Sequence, residues 1–133
     1  MSFEGKYRQT SSDNCAAFLE KVKMPEHLVA TLCNAKFETE ISCEDNEWTV
    51  NSTLADNLPA HVTKFKFDEE FEEKLLDGTT VTSKMTLDGN KWIHLHGSDP
   101  PVVFERVFTD EGMEVTYTCE DVSSTRIYER VNE

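Results

Sequence analysis

Apolar and polar residues alternate along most of this chain. From residue 36 onward the alternation has a period of two, which is typical of strands that bury one face. It predicts nine strands, at residues 36–43, 47–54, 61–67, 70–75, 79–86, 91–96, 102–108, 113–119 and 123–131. Residues 5–10 form one more short segment of this kind. The pattern therefore predicts ten strands.

Segment 14–34 departs from this pattern because its apolar residues recur at helical spacing. Pro25 divides the segment, and proline is tolerated in the first turn of a helix but not in its interior. We therefore predict two short helices joined by a tight connection. Their apolar stripes contain Cys15, Phe18, Leu19 and Val22 in the first helix, and Leu28, Val29, Leu32 and Cys33 in the second.

Turn signals rich in Asp, Asn and Gly separate several strands, for example at 88–90 and 110–112. Strands joined by tight turns are antiparallel neighbours, and a ten-stranded meander leaves two long edges unless it closes. We predict an all-β fold, a ten-stranded antiparallel up-and-down β-barrel (β-clam) with a two-helix lid between the first and second strands. A single domain then spans residues 1–133. Because such a barrel is wider than its side chains can fill, we expect a ligand cavity inside it.

The charge of the chain argues against two classes of partner. Asp and Glu number 26 and Lys and Arg number 13, so the formal net charge is −13. Nucleic acids and anionic membranes attract the opposite sign, so we expect neither nucleic-acid binding nor stable membrane association. We also expect a monomer, because copies with this charge repel each other. The N-terminal residues lack the apolar core of a secretory signal, so we expect a cytoplasmic protein.

The lid segment is nearly neutral, unlike the chain as a whole. Lys21 and Lys23 are balanced by Glu20 and Glu26. A lid without excess positive charge has little attraction for an anionic membrane. We therefore expect any ligand to exchange through water.

The four cysteines, Cys15, Cys33, Cys43 and Cys119, include no Cys-x-x-Cys pair. This spacing does not fit a zinc knuckle or a thioredoxin-type redox motif. Because thiols in the cytosol are kept reduced, we expect all four cysteines to be free.

Two late strands carry arginines that share a face with aromatic residues. Arg106 lies between Phe104 and Phe108 at strand spacing, and Arg126 stands two residues before Tyr128. In one interpretation both arginines point outward to the acidic surface. In the other they face the cavity, where a cation among apolar neighbours needs an anion. Guanidinium groups and a tyrosine hydroxyl would then supply donors that match a carboxylate.

Trp92, His94 and His96 share one face of another strand. Two histidines at this spacing can supply two zinc ligands. The sequence does not identify a third ligand, because His27 and His61 lie in other elements. We therefore expect these three residues to line the cavity, and we expect no metal and no other cofactor.

Several segments follow a known pattern, at 5–7, 14–34, 67–73, 86–91 and 125–129. The most specific are Glu-Glu-Phe-Glu-Glu at 69–73 and Arg-x-Tyr at 126–128. On these segments the sequence resembles the intracellular lipid-binding protein family, which includes the fatty-acid-binding proteins and the cellular retinoid-binding proteins. The resemblance covers essentially the whole chain.

The resemblance implies a ten-stranded barrel with a helical lid that binds one or two hydrophobic acids. Arg106, Arg126 and Tyr128 match the carboxylate-binding arginine, arginine and tyrosine of the family. Members that carry neutral retinol have glutamine at the matching arginine positions. Since both arginines are present here, the resemblance implies that the ligand is an acid.

Three positions depart from the family pattern. Asp68 stands where a glycine is usual between the fourth and fifth strands, and Thr79 stands where a basic residue is often found. Leu58 is the candidate to replace the usual phenylalanine of the portal. These departures affect the portal and the choice of ligand rather than the carboxylate anchor.

Residues from the lid and from the strands are expected to line the cavity and its portal. They are Phe18, Leu28, Val29, Leu32, Leu58, Trp92, His94, His96, Phe104, Val115 and Tyr117. Glu73 and Asp77 are expected to face inward as well, and to pair with arginines or with water.

The function we expect is that of a non-enzymatic carrier of a long-chain fatty acid, with the carboxylate bound by Arg106, Arg126 and Tyr128. Retinoic acid or another hydrophobic acid is the alternative ligand within this class. A lipid-acting enzyme that uses His94 and His96 is an alternative of a different class. A signalling or structural module, recognised by partner proteins through its acidic face, is a third.

Overall fold

A computed structural model describes residues 3–53, 60–75, 78–98 and 100–131. These residues form ten strands and two helices. The strands are β1 (Gly5–Asp13), β2 (Glu38–Glu44), β3 (Glu47–Thr53), β4 (His61–Phe65), β5 (Glu70–Lys74), β6 (Thr80–Asp88), β7 (Lys91–His96), β8 (Val102–Phe108), β9 (Gly112–Cys119) and β10 (Val122–Val131). The helices α1 (Cys15–Lys21) and α2 (Glu26–Asn34) lie between β1 and β2.

The strands form a single antiparallel sheet in the order β4-β3-β2-β1-β10-β9-β8-β7-β6-β5. The first and last strands of the chain pair with each other, so the meander bends into a nearly closed barrel. The predicted fold class is confirmed. Strands β4 and β5 are the two edges of the sheet, and in the described residues no ladder of backbone hydrogen bonds joins them.

Strand β1 is longer than its sequence pattern indicates. It continues to Asp13, and its register against β10 shifts between Gln9 and Ser11, which marks a β-bulge. Ser12 pairs with Arg126 and Asp13 with Thr125, so pairing with β10 extends the strand up to the start of α1. This long pairing brings the lid directly over β10.

Alternation along β10 decides which of its side chains point into the barrel. Ser124, Arg126 and Tyr128 are buried, whereas Ile127 between them is 45% exposed. A strand presents successive side chains to opposite faces, so the apolar Ile127 is on the outside and the charged Arg126 is inside. The chain thus places a cation in its interior.

An aromatic core fills part of the barrel interior around Trp92. The Trp92 ring lies 5.0–5.5 Å, centroid to centroid, from five other rings in edge or tilted arrangements. These rings belong to Phe3, Trp48, Phe65, Phe67 and Phe108. Trp92 is fully buried there, so it is a core residue rather than the cavity-lining residue that was expected.

Neither of the two helices in the described part of the chain has the length and apolar character needed to cross a membrane.

Candidate functional site

The interior that the aromatic core leaves open is a cavity of about 440 Å³. Its volume falls within the range of roughly 300–1,000 Å³ that is common for small-molecule sites. Apolar side chains of α1, α2, β8 and β9 form much of the wall. The polar part of the wall includes Arg106, Arg126 and Tyr128, which we call the anchor group. It also includes Glu73, His61 and His96, which together with His94 outside the wall form what we call the Glu73 cluster.

Arg126 is held in the cavity wall by neutral partners. Its side chain is buried, and Nη1 donates a 2.8 Å hydrogen bond to Oε1 of Gln9. Nη2 donates to the carbonyl oxygen of Leu32 and to Sγ of Cys15, each at 3.3 Å. The guanidinium also stacks over the Phe37 ring, 4.0 Å from its centroid. These contacts fix the orientation of the charge without neutralising it.

Tyr128 and Arg106 complete the anchor group. Burial raises the pKa of Tyr128 well above its ordinary value, and Tyr117, which hydrogen-bonds to it, adds to the effect. The charges of Arg126 and Arg106 act in the opposite direction on that pKa, which shows that both guanidinium groups are near the phenol. The phenol therefore stays protonated at neutral pH and can donate a hydrogen bond.

Among the described residues, the two guanidinium groups have no counter-ion. Within the described residues, neither Arg106 nor Arg126 forms an ion pair with a carboxylate. Buried donors at Nη1 of Arg106 and Nε of Arg126 also have no hydrogen-bond partner there. A buried cation without an anion is costly, so the arrangement can accept an anionic group from a ligand. The interpretation in which both arginines point outward is wrong, since both lie in the cavity wall.

The structure places the other expected lining residues in two sets. Those in the cavity wall are Phe18, Leu32, His96, Phe104, Val115 and Tyr117. Those that do not reach it are Leu28, Val29, Trp92 and His94. Leu28 and Val29 are half-buried because they pack the lid against the core. Leu58 lies outside the described residues, as does Asp77.

Glu73 faces inward as expected, but its partners are histidines rather than arginines. Its Oε1 lies 2.8 Å from Nε2 of His94 and 3.2 Å from Nε2 of His96. Its Oε2 lies 3.6 Å from Nε2 of His61. The hydroxyl of Ser83 donates to Oε1 at 3.0 Å, and that of Thr63 donates to Oε2 at 3.4 Å. Residues of β4, β5, β6 and β7 thus meet at one carboxylate.

Burial and hydrogen bonding shift the pKa values of Glu73, His94 and His96. Burial acts to raise the pKa of Glu73, but hydrogen bonds with His61 and His94 outweigh it and hold that pKa well below the ordinary value. Burial lowers the pKa of His94, and it lowers the pKa of His96 to about 4. At neutral pH Glu73 is therefore ionised, and the imidazoles of His94 and His96 are uncharged.

Cys15 and Cys33 form a disulfide that joins α1 to α2. The expectation of four free thiols is therefore wrong for these two, whereas Cys43 and Cys119 are free. The helical hairpin brings the two Cα atoms to 5.7 Å, within the span of roughly 4.4–6.8 Å that a disulfide bridges. This pairing could not be predicted from the cysteine spacing, because a separation of 18 residues matches no recognised motif.

Sequence reasoning did not single out Gln9, Phe37 or His61 for the site. Gln9 and Tyr7 are two residues apart and share the buried face of β1. This spacing could have identified Gln9 as an inward-facing polar residue. The contact of His61 with Glu73 had no comparable signal. The two residues lie on the opposite edges of the sheet, and only closure of the barrel brings β4 and β5 together.

Comparisons with known proteins agree with this architecture. None of the protein-family models matches the chain. The fatty acid-binding protein of Tyrophagus putrescentiae is 33% identical over 132 residues, which cover 98% of each chain. The chain belongs to the fatty acid-binding protein family.

Two further proteins are similar to this chain over nearly its whole length. A solved structure of the fatty acid-binding protein in brain tissue of Drosophila melanogaster is 29% identical and has a TM-score of 0.90. It covers 96% of this chain and 99% of its own. The cellular retinoic acid-binding protein 2 of Mus musculus is 28% identical and covers 97% of this chain and 98% of its own.

Proposed function

We propose that this protein carries a long-chain fatty acid in its cavity, with the carboxylate bound by Arg106, Arg126 and Tyr128. The supporting observation is the pair of cavity arginines that no carboxylate of the described residues neutralises. A fatty acid supplies both the missing anion and an apolar chain for the rest of the cavity. In this proposal the protein is a monomeric, non-enzymatic carrier in the cytoplasm. The names of its relatives as binding proteins support the role of a carrier.

The two parts of such a ligand contribute differently to binding. Burial of a methylene group is worth about 0.8 kcal/mol, so fifteen methylenes offer roughly 12 kcal/mol before the costs of association. A hydrogen bond to a charged group contributes about 1.5–3 kcal/mol net. The chain therefore supplies most of the affinity, and the anchor group selects an acid over an alcohol or an ester.

The lid takes part in this selection through Arg126. The guanidinium donates to the Leu32 carbonyl of α2 and to Sγ of Cys15 in α1. Phe18 of α1 lies over the cavity, with its ring centroid 5.7 Å from that of Tyr117. The helices therefore cover the ligand and at the same time hold one of its anchors.

Retinoic acid is a second candidate ligand, because the chain is similar to a mouse protein named for that ligand. It presents the same carboxylate to the same anchor group, so the anchor does not discriminate between the two acids. Mass spectrometry of an organic extract of the purified protein distinguishes the two acids. A co-purified fatty acid supports the first candidate, and a co-purified retinoid replaces it with the second.

Replacing Arg126 with glutamine tests the anchor. We expect Arg126→Gln to weaken oleate binding by about 10- to 100-fold, because one charge-assisted hydrogen-bonding partner is lost. Displacement of a fluorescent fatty acid from the cavity measures the affinity. Binding of methyl oleate, which carries no charge, should not weaken in the same variant.

Arg8→Gln is the matched control, because Arg8 is an exposed arginine paired with Glu38 on the surface. It should bind oleate as tightly as the unchanged protein. Equal oleate affinity in Arg126→Gln and in Arg8→Gln, with both variants folded by circular dichroism, would contradict the proposed anchor.

A further inference from the structure

The Glu73 cluster brings metal-ligating side chains together from separate strands. Glu73 is on β5, His61 is on β4, and His94 and His96 are on β7. One ligand atom from each of Glu73, His94 and His96 lies within 4.8 Å of the other two. All three of these residues are buried. The cluster therefore contains the third ligand that the sequence did not identify beside the His-x-His pair.

The distances in the cluster suit a small tetrahedral cation. Zinc binds imidazole nitrogen and carboxylate oxygen at about 2.0–2.2 Å, which places the ligands of a tetrahedral site roughly 3.3–3.6 Å apart. The Glu73 oxygens lie 2.8, 3.2 and 3.6 Å from Nε2 of His94, His96 and His61. The ligand atoms of Glu73, His94 and His96 lie within 4.8 Å of one another, so inward movements of about an ångström or less would place these three around one ion. His61, whose Nε2 is close to the other Glu73 oxygen, would have to turn toward the ion to become a fourth ligand.

Unsatisfied nitrogen atoms provide independent support for a ligand at this place. Nε2 of His96 is buried next to Glu73 and has no hydrogen-bond partner in the described residues. Nδ1 of His94 is buried without a partner as well. Because buried polar atoms are nearly always paired, each exception calls for an explanation. A cation bound at Nε2 of His96 supplies the missing partner for that atom.

The surroundings of Glu73 resemble those of a supported metal ligand. Ser83 and Thr63 donate hydrogen bonds to its two oxygens and fix the orientation of the carboxylate. The charge of Arg106 opposes a cation, since it also acts on both His94 and His96. Glu73 offsets that repulsion through direct contact.

We propose that Glu73, His94 and His96, with His61 as a fourth ligand, bind a single zinc ion inside the barrel. Ions can reach the site from the cavity, because His61, Glu73 and His96 lie in its wall. The bound ion would tie β4, β5 and β7 together where the two sheet edges meet without a ladder. This proposal does not rest on the fatty-acid proposal, since it uses none of the anchor residues.

Zinc titration of the metal-free protein tests the proposal. Protein stripped with EDTA is titrated with zinc sulfate in a calorimeter, and we expect saturation at one zinc ion per chain. Cobalt(II) serves as a spectroscopic probe, because a tetrahedral site gives visible absorption bands that aqueous cobalt lacks. Zinc binding should also raise the melting temperature, as any ligand that prefers the folded state does.

Substitutions in the cluster locate the ion. Glu73→Gln and His96→Gln should each weaken zinc binding at least tenfold and remove the visible cobalt bands. His27→Gln is the control, because His27 is an exposed histidine of α2 outside the cluster. It should leave stoichiometry, affinity and cobalt spectrum unchanged. Far-ultraviolet circular dichroism checks that each variant retains its strands.

Other outcomes would overturn the proposal. Zinc that binds Glu73→Gln and His96→Gln as tightly as the unchanged protein would be held by surface groups. Failure of the stripped protein to bind zinc would mean that the cluster is only a hydrogen-bonded network. His61→Gln, at a partly exposed position, tests the site if the buried variants do not fold, and an unchanged affinity in that variant would contradict the four-ligand site.

Discussion

The surroundings of Arg126 are the main evidence for an anionic ligand. Arg126 is 3% exposed, and its acceptors are an amide oxygen, a carbonyl oxygen and a sulfur atom. Neutral acceptors satisfy some of the guanidinium hydrogens but leave its charge uncompensated. A protein that needed this residue only for packing could use a neutral side chain at a lower cost. The charge is therefore best explained by the anionic ligand that we propose.

Asp68 lies at a turn position whose backbone conformation favours particular residue types. It adopts a φ of +65° in the turn between β4 and β5, and its N–H donates to the Met85 carbonyl at 2.9 Å. This left-handed conformation costs most residues about 1–2 kcal/mol and costs glycine nothing. The glycine that is usual at this position in similar proteins fits the same conformation.

We predict that Asp68→Gly is more stable than Asp68→Ala by about 1 kcal/mol, because only alanine pays the steric cost of a positive φ. Urea denaturation of the two variants measures the difference in the free energy of unfolding. At the exposed strand position Glu72, where the backbone is extended, the order of glycine and alanine should reverse. An alanine variant at position 68 that equals or exceeds the glycine variant would show that the turn is not strained.

Helices α1 and α2 are too short to be stable alone, and contacts at several points hold them in place. The Cys15–Cys33 disulfide joins them to each other, and Arg126 contacts both of them from β10. Isolated helices of fewer than about twelve residues are marginal in water. The lid therefore depends on these contacts, and a change in the disulfide acts on the element that covers the cavity.

Thiol counting tests the disulfide. Protein prepared without reductant should expose two reactive thiols after denaturation, from Cys43 and Cys119, and four after reduction. Reduction, or Cys33→Ser, should lower the free energy of unfolding by about 3 kcal/mol, the loop-closure value for a loop of this size. Mass spectrometry after alkylation counts the thiols, and denaturant titration gives the stability.

Four reactive thiols before reduction would contradict the disulfide. Cys43→Ser is the matched control, because Cys43 is half-buried on β2 and unpaired. It should cost far less stability than Cys33→Ser. In the reducing cytoplasm that we propose for this protein, the reduced form is the relevant one, and the same titration gives its stability.

At the scale of the whole molecule, the period of the pattern was enough to predict the fold. Ten segments of period two, tight turns and one helical interruption allow few arrangements other than a closed meander. The same alternation placed Arg126 and Tyr128 on one face of β10, but it left open whether that face points inward, and only the family resemblance implied a ligand-binding role. A pattern of this kind involves only residues that are close in the sequence, so it can be recognised without knowing which distant residues are in contact.

Two features could not be predicted in the same way. One is the Glu73 cluster, and the other is the division of the barrel interior into an aromatic core and a cavity. Glu73 and His94 are 21 residues apart, and their contact depends on the register of three strands and on closure between β4 and β5. His94 and Trp92 share a face of β7 with His96, yet only His96 reaches the cavity. The aromatic core determines this difference, and its six rings come from five separate segments of the chain.

A crystal structure of the protein with bound oleate tests the central claim most directly. The account predicts that the carboxylate oxygens lie within hydrogen-bonding distance of Arg126, with Arg106 and the Tyr128 hydroxyl completing the site, and that the acyl chain runs along the apolar wall beneath the lid. A carboxylate in solvent at the cavity mouth, with the methyl end against the arginines, would contradict it.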